Sequence, residues 1–322
     1  MGNCNNMSII RDGIIGVAIG DMLGVPVEFT ARRERDADPV LGIREGGPNA
    51  QEKGTWSDDT SLTLCLASAL VQSHGKVDLK VIAEEFLAWK EHSKWTSHGH
   101  VFDIGQRTFR ALNDLHRILE SEDYDSLTYL KYDAQVHENG NGSLMRTLPL
   151  YFALKDTGIE KNFETIWQVS ALTHGHIRSA LACLMYLMMV DELIRVPYIG
   201  QAYMNMQKRM NRFFTEQSIE AEEKEAFARI LEGNIATINR NQIYSTGYVM
   251  HTLEASLWCL LTTDSFAEAV LKAVNLGEDT DTTGAVTGGL AGIFYGIDSA
   301  PKDWYQAVAR IGEIEELCRS FD

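Results

Sequence analysis

Residues 9–24 set Ile9, Ile10, Ile14, Ile15, Val17 and Ile19 among small residues at helical spacing, which predicts a buried helix stopped by Pro26. Residues 30–53, after Val27-Glu28-Phe29, are rich in Arg, Asp, Gly and Pro and show no period. A structureless stretch of that length suits a lid or binding loop, so a flap with Glu28 at its root is expected. Next come an apolar helix opening at Ser57-Asp58-Asp59-Thr60, an amphipathic helix over 79–92, and another led by Phe102-Asp103-Ile104-Gly105. The run Asn139-Gly140-Asn141-Gly142-Ser143 precedes Leu144-Met145-Arg146, which reads as the start of a helix, and helical patterns continue past Thr173-His174-Gly175-His176. Residues 180–190 are almost wholly apolar and form a core helix, Met stripe included, while 201–241 suit a charged surface helix pair. Residues 244–261 return to a buried pattern, and 266–274 deliver the chain to Gly277. Strand-type alternation is nearly absent, so the fold class is all-α, with one domain over residues 1–322 and residues 1–8 disordered.

The stretch 277–296 stands apart. It opens with Asp279, Asp281, Thr282 and Thr283, then carries Gly284, Gly288 and Gly292 at a spacing of four. Each interior glycine costs an isolated helix roughly 1 kcal/mol against alanine, so close packing or a ligand must compensate. Asp279 and Asp281 suit either helix capping or ligation of a cation.

Composition narrows the function classes. The chain has 322 residues, 45% hydrophobic content and a formal net charge of -16, which describes a globular protein without a broad phosphate-backbone footprint. Nucleic-acid and membrane partners are therefore not expected. Its five scattered cysteines lack metal spacing and suit reduced core thiols, and the N-terminal residues lack a secretory pattern, which together imply a cytoplasmic location.

Two acidic corners, Ser57-Asp58-Asp59 and Asp279-x-Asp281-Thr282, each head an apolar helix. If their four carboxylates meet within about 5 Å, each pair repels by roughly 3 kcal/mol at an effective dielectric of about 20. Protonation or two divalent cations would relieve this, and an all-oxygen donor set favours Mg²⁺, with Mn²⁺ as the alternative, over Zn²⁺. The glycines of 139–143 permit positive-φ turns, so this run is expected to form an anion nest beside a helix start. Alone, each site residue also has a structural role open to it. Glu28 suits a solvated loop, Asp103 a helix cap, His174 a buried hydrogen bond and Tyr248 a core position.

Seven elements occur in order: Gly20-Asp21-x-x-Gly24-x-Pro26-x-Glu28-Phe29, Trp56-Ser57-Asp58-Asp59-Thr60, Phe102-Asp103-Ile104-Gly105, Asn139 through Arg146, Leu172-Thr173-His174, Thr246-Gly247-Tyr248 and Gly277 through Thr282. Together they resemble the ADP-ribosylglycohydrolase family, most nearly its bacterial dinitrogenase-reductase-activating type. The resemblance implies a compact orthogonal multi-helix fold and a dinuclear Mg²⁺ centre that removes ADP-ribose from a modified side chain, typically arginine. It implies metal ligation by Ser57, Asp58, Asp59, Asp279, Asp281 and Thr282. Catalytic work falls to Glu28, Asp58 and Asp103. Substrate contacts fall to Gly105, Asn139, Gly140, Asn141, Gly142, Ser143, Met145, His174 and Tyr248. Ser57 stands where the family more often has Thr, and Gln106 where close relatives often have Asn. The expected partner is an ADP-ribosylated protein or small-molecule conjugate. Two other functions use similar residues: a non-catalytic ADP-ribose-binding protein on the same scaffold, and a dinuclear metal phosphohydrolase.

Overall fold

The computed structural model describes residues 4–132, 135, 138–217 and 219–321. The chain is 66% helical and, among the described residues, has sixteen α-helices and no strand. In order these are α1 (Cys4–Gly24), α2 (Arg32–Ala37), α3 (Asp58–Gln72), α4 (Leu79–His92), α5 (Gln106–Glu120), α6 (Leu150–Leu154), α7 (Phe163–Ala171) and α8 (Ile177–Arg195). They continue as α9 (Ile199–Glu216), α10 (Ala221–Ala226), α11 (Ala228–Leu231), α12 (Val249–Leu261), α13 (Phe266–Val274), α14 (Thr280–Tyr295), α15 (Lys302–Ala307) and α16 (Ile311–Arg319). The all-α expectation is met. Residues 1–3 of the expected disordered leader lie outside the described residues, but residues 4–8 are helical. A helix nucleated by the buried run 9–24 extends outward at little cost, one hydrogen bond per residue fixed.

The glycine periods of α1 and α14 face each other. A Cβ on Gly16 would come 2.2 Å from the Gly288 carbonyl oxygen, one on Gly20 2.0 Å from that of Gly284, and one on Gly292 2.1 Å from that of Asp12. Backbone therefore touches backbone along the pair, and no side chain larger than hydrogen fits at these positions. At the end of this seam a Cβ on Gly24 would meet Asp281 Cα at 2.3 Å. Close helix contact thus brings the C-terminal end of α1, with Asp21, beside the acidic start of α14.

Helices α13, α12, α8 and α3 also pack against α14. Met185, Met188 and Met189 of α8 are fully buried, so the methionine stripe packs the core as expected, and Cys65, Cys183, Cys259 and Cys318 are buried free thiols. No helix among the described residues is long and apolar enough to cross a membrane.

Two expectations need correction. The stretch 30–53 is not continuous loop, since α2 occupies its first part and Arg32 donates to the carbonyls of Leu276, Arg240 and Ile243. Farther on, Val40 and the Asn275 amide exchange two hydrogen bonds. Short-range charge and long-range tethering order this segment without any apolar period, which is why the pattern of the chain is silent about it. The helix expected from Leu144 is also absent. Residues 142–146 form turns, and the next helix waits until Leu150, because Pro149 disfavours helical geometry in the residue before it.

Candidate active site

The N-cap of α3 is Ser57, whose hydroxyl accepts from the Asp59 N–H at 3.3 Å. Asp58 and Asp59 follow in the first helical turn, their carboxylates released from capping. Asp21 of α1 holds this corner. It is fully buried, and its carboxylate accepts from the N–H of Ser57, the N–H of Thr60 and the Thr60 hydroxyl. Asp279 occupies the N-cap position of α14 but makes no side-chain cap hydrogen bond; its Oδ2 accepts instead from Asn141 Nδ2 at 2.8 Å. Likewise Asp103 caps nothing, since the N-cap of α5 is Gly105. The capping role open to Asp103 and Asp279 in the sequence is therefore not the one they take, and their carboxylates face the site.

Two trios of carboxylates result. Oxygens of Asp21, Asp59 and Asp281 lie within 4.8 Å of one another, as do oxygens of Glu28, Asp103 and Asp281. Asp281 belongs to both. Asp59 links the corners further, because its Oδ2 accepts from the Ser57 and Thr282 hydroxyls, each at 3.2 Å. Its other oxygen, Oδ1, is buried without a hydrogen-bond partner. An orphaned buried carboxylate oxygen is costly, and within a pocket of like charges it is costlier still.

Burial pushes every one of these carboxyls above its ordinary range, and repulsion from neighbouring acids adds to the rise at Glu28, Asp58, Asp59, Asp103 and Asp281. Asp21 is raised to about 6, against the pull of its hydrogen bonds from Ser57 and Thr60, and Glu28 to about 9, with Asp103 its strongest repelling neighbour. Asp58, Asp59 and Asp281 lie well above their usual value for the same reasons; Asp103 and Asp279 are raised, Asp279 against the opposing Asn141 hydrogen bond. Such a cluster is poised for positive charge. The donors are all oxygen, one is orphaned and two groups share a single bridging carboxylate, so the set fits a pair of hard divalent cations.

A cavity of about 490 Å³ opens over this cluster. Glu28, Asp58, Asp103, Gly105, Asn141, Gly142, Met145, His174, Asp279, Asp281 and Thr282 line it. Ser57 and Asp59 lie buried behind its floor. Asn139, Gly140, Ser143 and Tyr248 are not among its lining residues. Asn139 and Gly140 instead pair with the segment preceding α12: Gly140 bridges Tyr248, the Asn141 N–H donates to Gly247 O and the Val249 N–H to Asn139 O. The Asp279 N–H in turn donates to Ser245 O, so residues 245–249 strap the glycine run to the start of α14. Ser143 is buried and accepts from the Ser170 hydroxyl, and the Tyr248 hydroxyl accepts from Arg178 at 3.0 Å.

The anion nest is not formed as expected, because neither Gly140 nor Gly142 takes a positive φ. These glycines are needed for closeness instead. A Cβ on Gly142 would sit 2.6 Å from His174 Cε1 and 3.3 Å from the Thr108 hydroxyl. Underneath, the buried guanidinium of Arg146 donates to Gly142 O and to Val169 O and lies over the Phe86 ring. Burial and the charges of Arg146 and Arg107 push His174 down to about 3, so it presents a neutral imidazole whose Nδ1 is paired with the Thr173 hydroxyl at 2.8 Å. Gly142→Val is expected to weaken roughly tenfold the binding of a ligand seated against this wall of the cavity, the effect of an overpacked contact of about 1.4 kcal/mol. Cation binding should be unchanged; calorimetric titrations with each ligand check both halves.

Sequence reasoning assigned no role to Asp21, Phe29, Arg107, Thr108, Thr246, Gly247 or Glu278, although all but Asp21 line the cavity. Thr108 lies one helical turn after Gly105, a spacing that could have placed it. Phe29 and Glu278 reach the site through loop geometry that leaves no periodic signal.

The family model described as ADP-ribosylglycohydrolase matches residues 5–322. The ADP-ribosylarginine hydrolase Tri1 of Serratia proteamaculans (strain 568) is 30% identical over 316 residues, covering 95% of this chain and 77% of that one. The ADP-ribosyl-dinitrogen reductase glycohydrolase of Rhodospirillum rubrum is 30% identical over 295 residues, 90% of this chain and 86% of its own. A solved structure described as an ADP-ribosylglycohydrolase-related protein complex superposes with a TM-score of 0.74 at 28% identity, covering 98% of both chains.

Proposed function

The chain belongs to the ADP-ribosylglycohydrolase family and is an ADP-ribosyl glycohydrolase, and from that premise we propose that it hydrolyses the bond between ADP-ribose and an arginine side chain of a protein. The observation that carries the reading is the meeting of two carboxylate trios at Asp281 under a cavity large enough for a nucleotide sugar. The names of two relatives, one acting on ADP-ribosylarginine and one on modified dinitrogen reductase, support arginine as the acceptor. The catalytic unit is taken to be the whole chain, because the site draws on residues from Asp21 to Thr282 and the family match runs from 5 to 322.

Ser57, Asp58, Asp59, Asp279, Asp281 and Thr282 would hold two divalent cations, Mg²⁺ or Mn²⁺, with Glu28 and Asp103 completing the trio on the cavity side. Bound there, such cations acidify water and fix the hydroxyls of a ribose. In the reaction a water oxygen bonds to the anomeric carbon of the ribose as the carbon–nitrogen bond to the guanidine breaks, through an oxocarbenium-like centre. One proton of that water passes to a carboxylate and the leaving nitrogen takes up another, so neutral charge flow needs a base and an acid close together. Glu28 and Asp103 meet that need, their oxygens lying within 4.8 Å of each other. Toward the other end, Gly142, neutral His174 and Arg107, whose Nε donates to Thr173 O and whose Nη1 pairs with Glu138 at 2.7 Å, offer the diphosphate a close backbone and a positive charge shared with Glu138.

Incubation with an ADP-ribosylarginine peptide and Mg²⁺ should release intact ADP-ribose and unmodified peptide, and excess chelator should stop the release. Appearance of AMP, with a phosphoribosyl group left on the peptide, would mean diphosphate cleavage and overturn the reading in favour of a phosphohydrolase.

A further inference from the structure

Phe29 is out of place by ordinary rules of folding. Its side chain is 71% exposed at the mouth of the acidic cavity, and its backbone sits in the left-handed region at φ 60°. A bulky residue in that region is strained, and exposure gains nothing for an aromatic ring. Glu278, its neighbour on the rim, shares the oddity: it is exposed, lines the same cavity and has φ 62°.

The surrounding structure enforces both. The Phe29 N–H donates to Glu278 O at 2.8 Å and the Glu278 N–H returns to Thr30 O at 2.7 Å, a two-residue clasp between the end of α1's following turn and the start of α14. Gly277, at φ 80°, is pressed against Arg32, where a Cβ would lie 2.7 Å from the Arg32 N–H nitrogen; its carbonyl accepts from the Ser245 hydroxyl. Strain held in place by such cross-bracing at a cavity mouth marks a position retained for contact with a ligand. Next to Phe29 in sequence, Glu28 turns inward to the carboxylate trio, so the left-handed turn at 29 is what sends one side chain into the site and the next to its rim.

We propose that Phe29 and Glu278 form the leaving-group subsite, in which the Phe29 ring stacks on the planar guanidinium of the modified arginine and the Glu278 carboxylate pairs with that cation or with a basic residue beside it. The inference rests on the arginine reading above and deepens it. A delocalised, weakly hydrated planar cation is the group that an exposed aromatic face and a nearby carboxylate recognise together. A hydroxyl-linked acceptor such as serine offers neither a plane nor a charge. Selectivity for arginine is thereby placed on the rim, separate from the machinery that holds the ADP-ribose half.

The test compares full-length, Mg²⁺-loaded wild type with Phe29→Ala, Phe29→Gly, Phe29→Tyr and Glu278→Gln on an ADP-ribosylarginine peptide, alongside titration with free ADP-ribose. Phe29→Ala and Phe29→Gly should each lower kcat/KM about tenfold with ADP-ribose affinity unchanged, and Phe29→Tyr should stay within about twofold of wild type. Phe29→Gly relieves the left-handed backbone, so its melting temperature should not fall; its loss of kcat/KM then reports the ring and not the fold. Glu278→Gln should lower kcat/KM a few-fold and flatten its dependence on salt. Wild-type rates in Phe29→Ala or Phe29→Gly would overturn the subsite while leaving the arginine reading standing. A wild type that releases no ADP-ribose from the peptide would overturn both.

Discussion

Asp281→Ala is expected to lose binding of both divalent cations and to turn over substrate more than ~100-fold more slowly, beyond what removing an outer-shell partner of a metal ligand usually costs. Its carboxylate is the one shared by the two trios, so its removal takes a donor from each group at once. A single change on the other corner separates chemistry from stability. Asp59→Asn should also abolish turnover, yet the metal-free variant should melt higher than the metal-free wild type. The reason is the same crowding: like charges with oxygens within 4.8 Å repel by roughly 3 kcal/mol at an effective dielectric of about 20, and Asp59 Oδ1 has no hydrogen bond to offset it. At roughly 2–4 °C per kcal/mol, a rise of several degrees is expected by scanning calorimetry in chelator. Added Mg²⁺ should stabilise the wild type and leave both variants unmoved. A metal-free Asp59→Asn that melts lower than wild type would show that repulsion is not what the cluster stores.

The second large effect is mechanical. Gly20→Ala should destabilise the protein by about 2–3 kcal/mol even though alanine is the better helix former by up to ~1 kcal/mol. The added methyl would lie 2.0 Å from the Gly284 carbonyl oxygen, and since that atom is backbone, α1 and α14 must part. Parting them separates Asp21 and Asp281, so cation affinity should fall along with the melting temperature. The control is Gly312→Ala, also helical but with open space around the position, which should stabilise by about 0.5–1 kcal/mol. Denaturant titrations of the two variants check the opposite signs, and equal shifts would remove the packing argument for the glycine periods.

Much of this could be read from the chain because it was written in local patterns. The spacing of four among Gly284, Gly288 and Gly292 announced a helix that must touch backbone, and α1 supplies the matching face at Gly16, Gly20 and Gly24. The acids at the heads of α3 and α14 announced charge that capping alone would not use. What misled was equally local. A run of alternating glycines suggested positive-φ turns, whereas Gly142 is there to let His174 approach and Arg146 grip the chain from beneath. Tyr248 reads as a substrate contact or a core position; its hydroxyl accepts from Arg178 and its backbone pairs with Gly140, a placement that depends on segments far apart in the chain.

The order of residues along this chain determined the helical class, the buried helices and the identity of the acids, because periodicity and charge are properties of neighbours in sequence. Only the tertiary structure decided that Asp281 is the shared carboxylate, that Asp21 braces the other corner from a distant helix, and that Phe29 stands exposed at the rim. Those outcomes depend on distances between segments 36 residues apart for Asp21 and Ser57 and more than 200 apart for the two acidic corners, set by how closely two glycine faces can press together, and no local pattern carries such lengths.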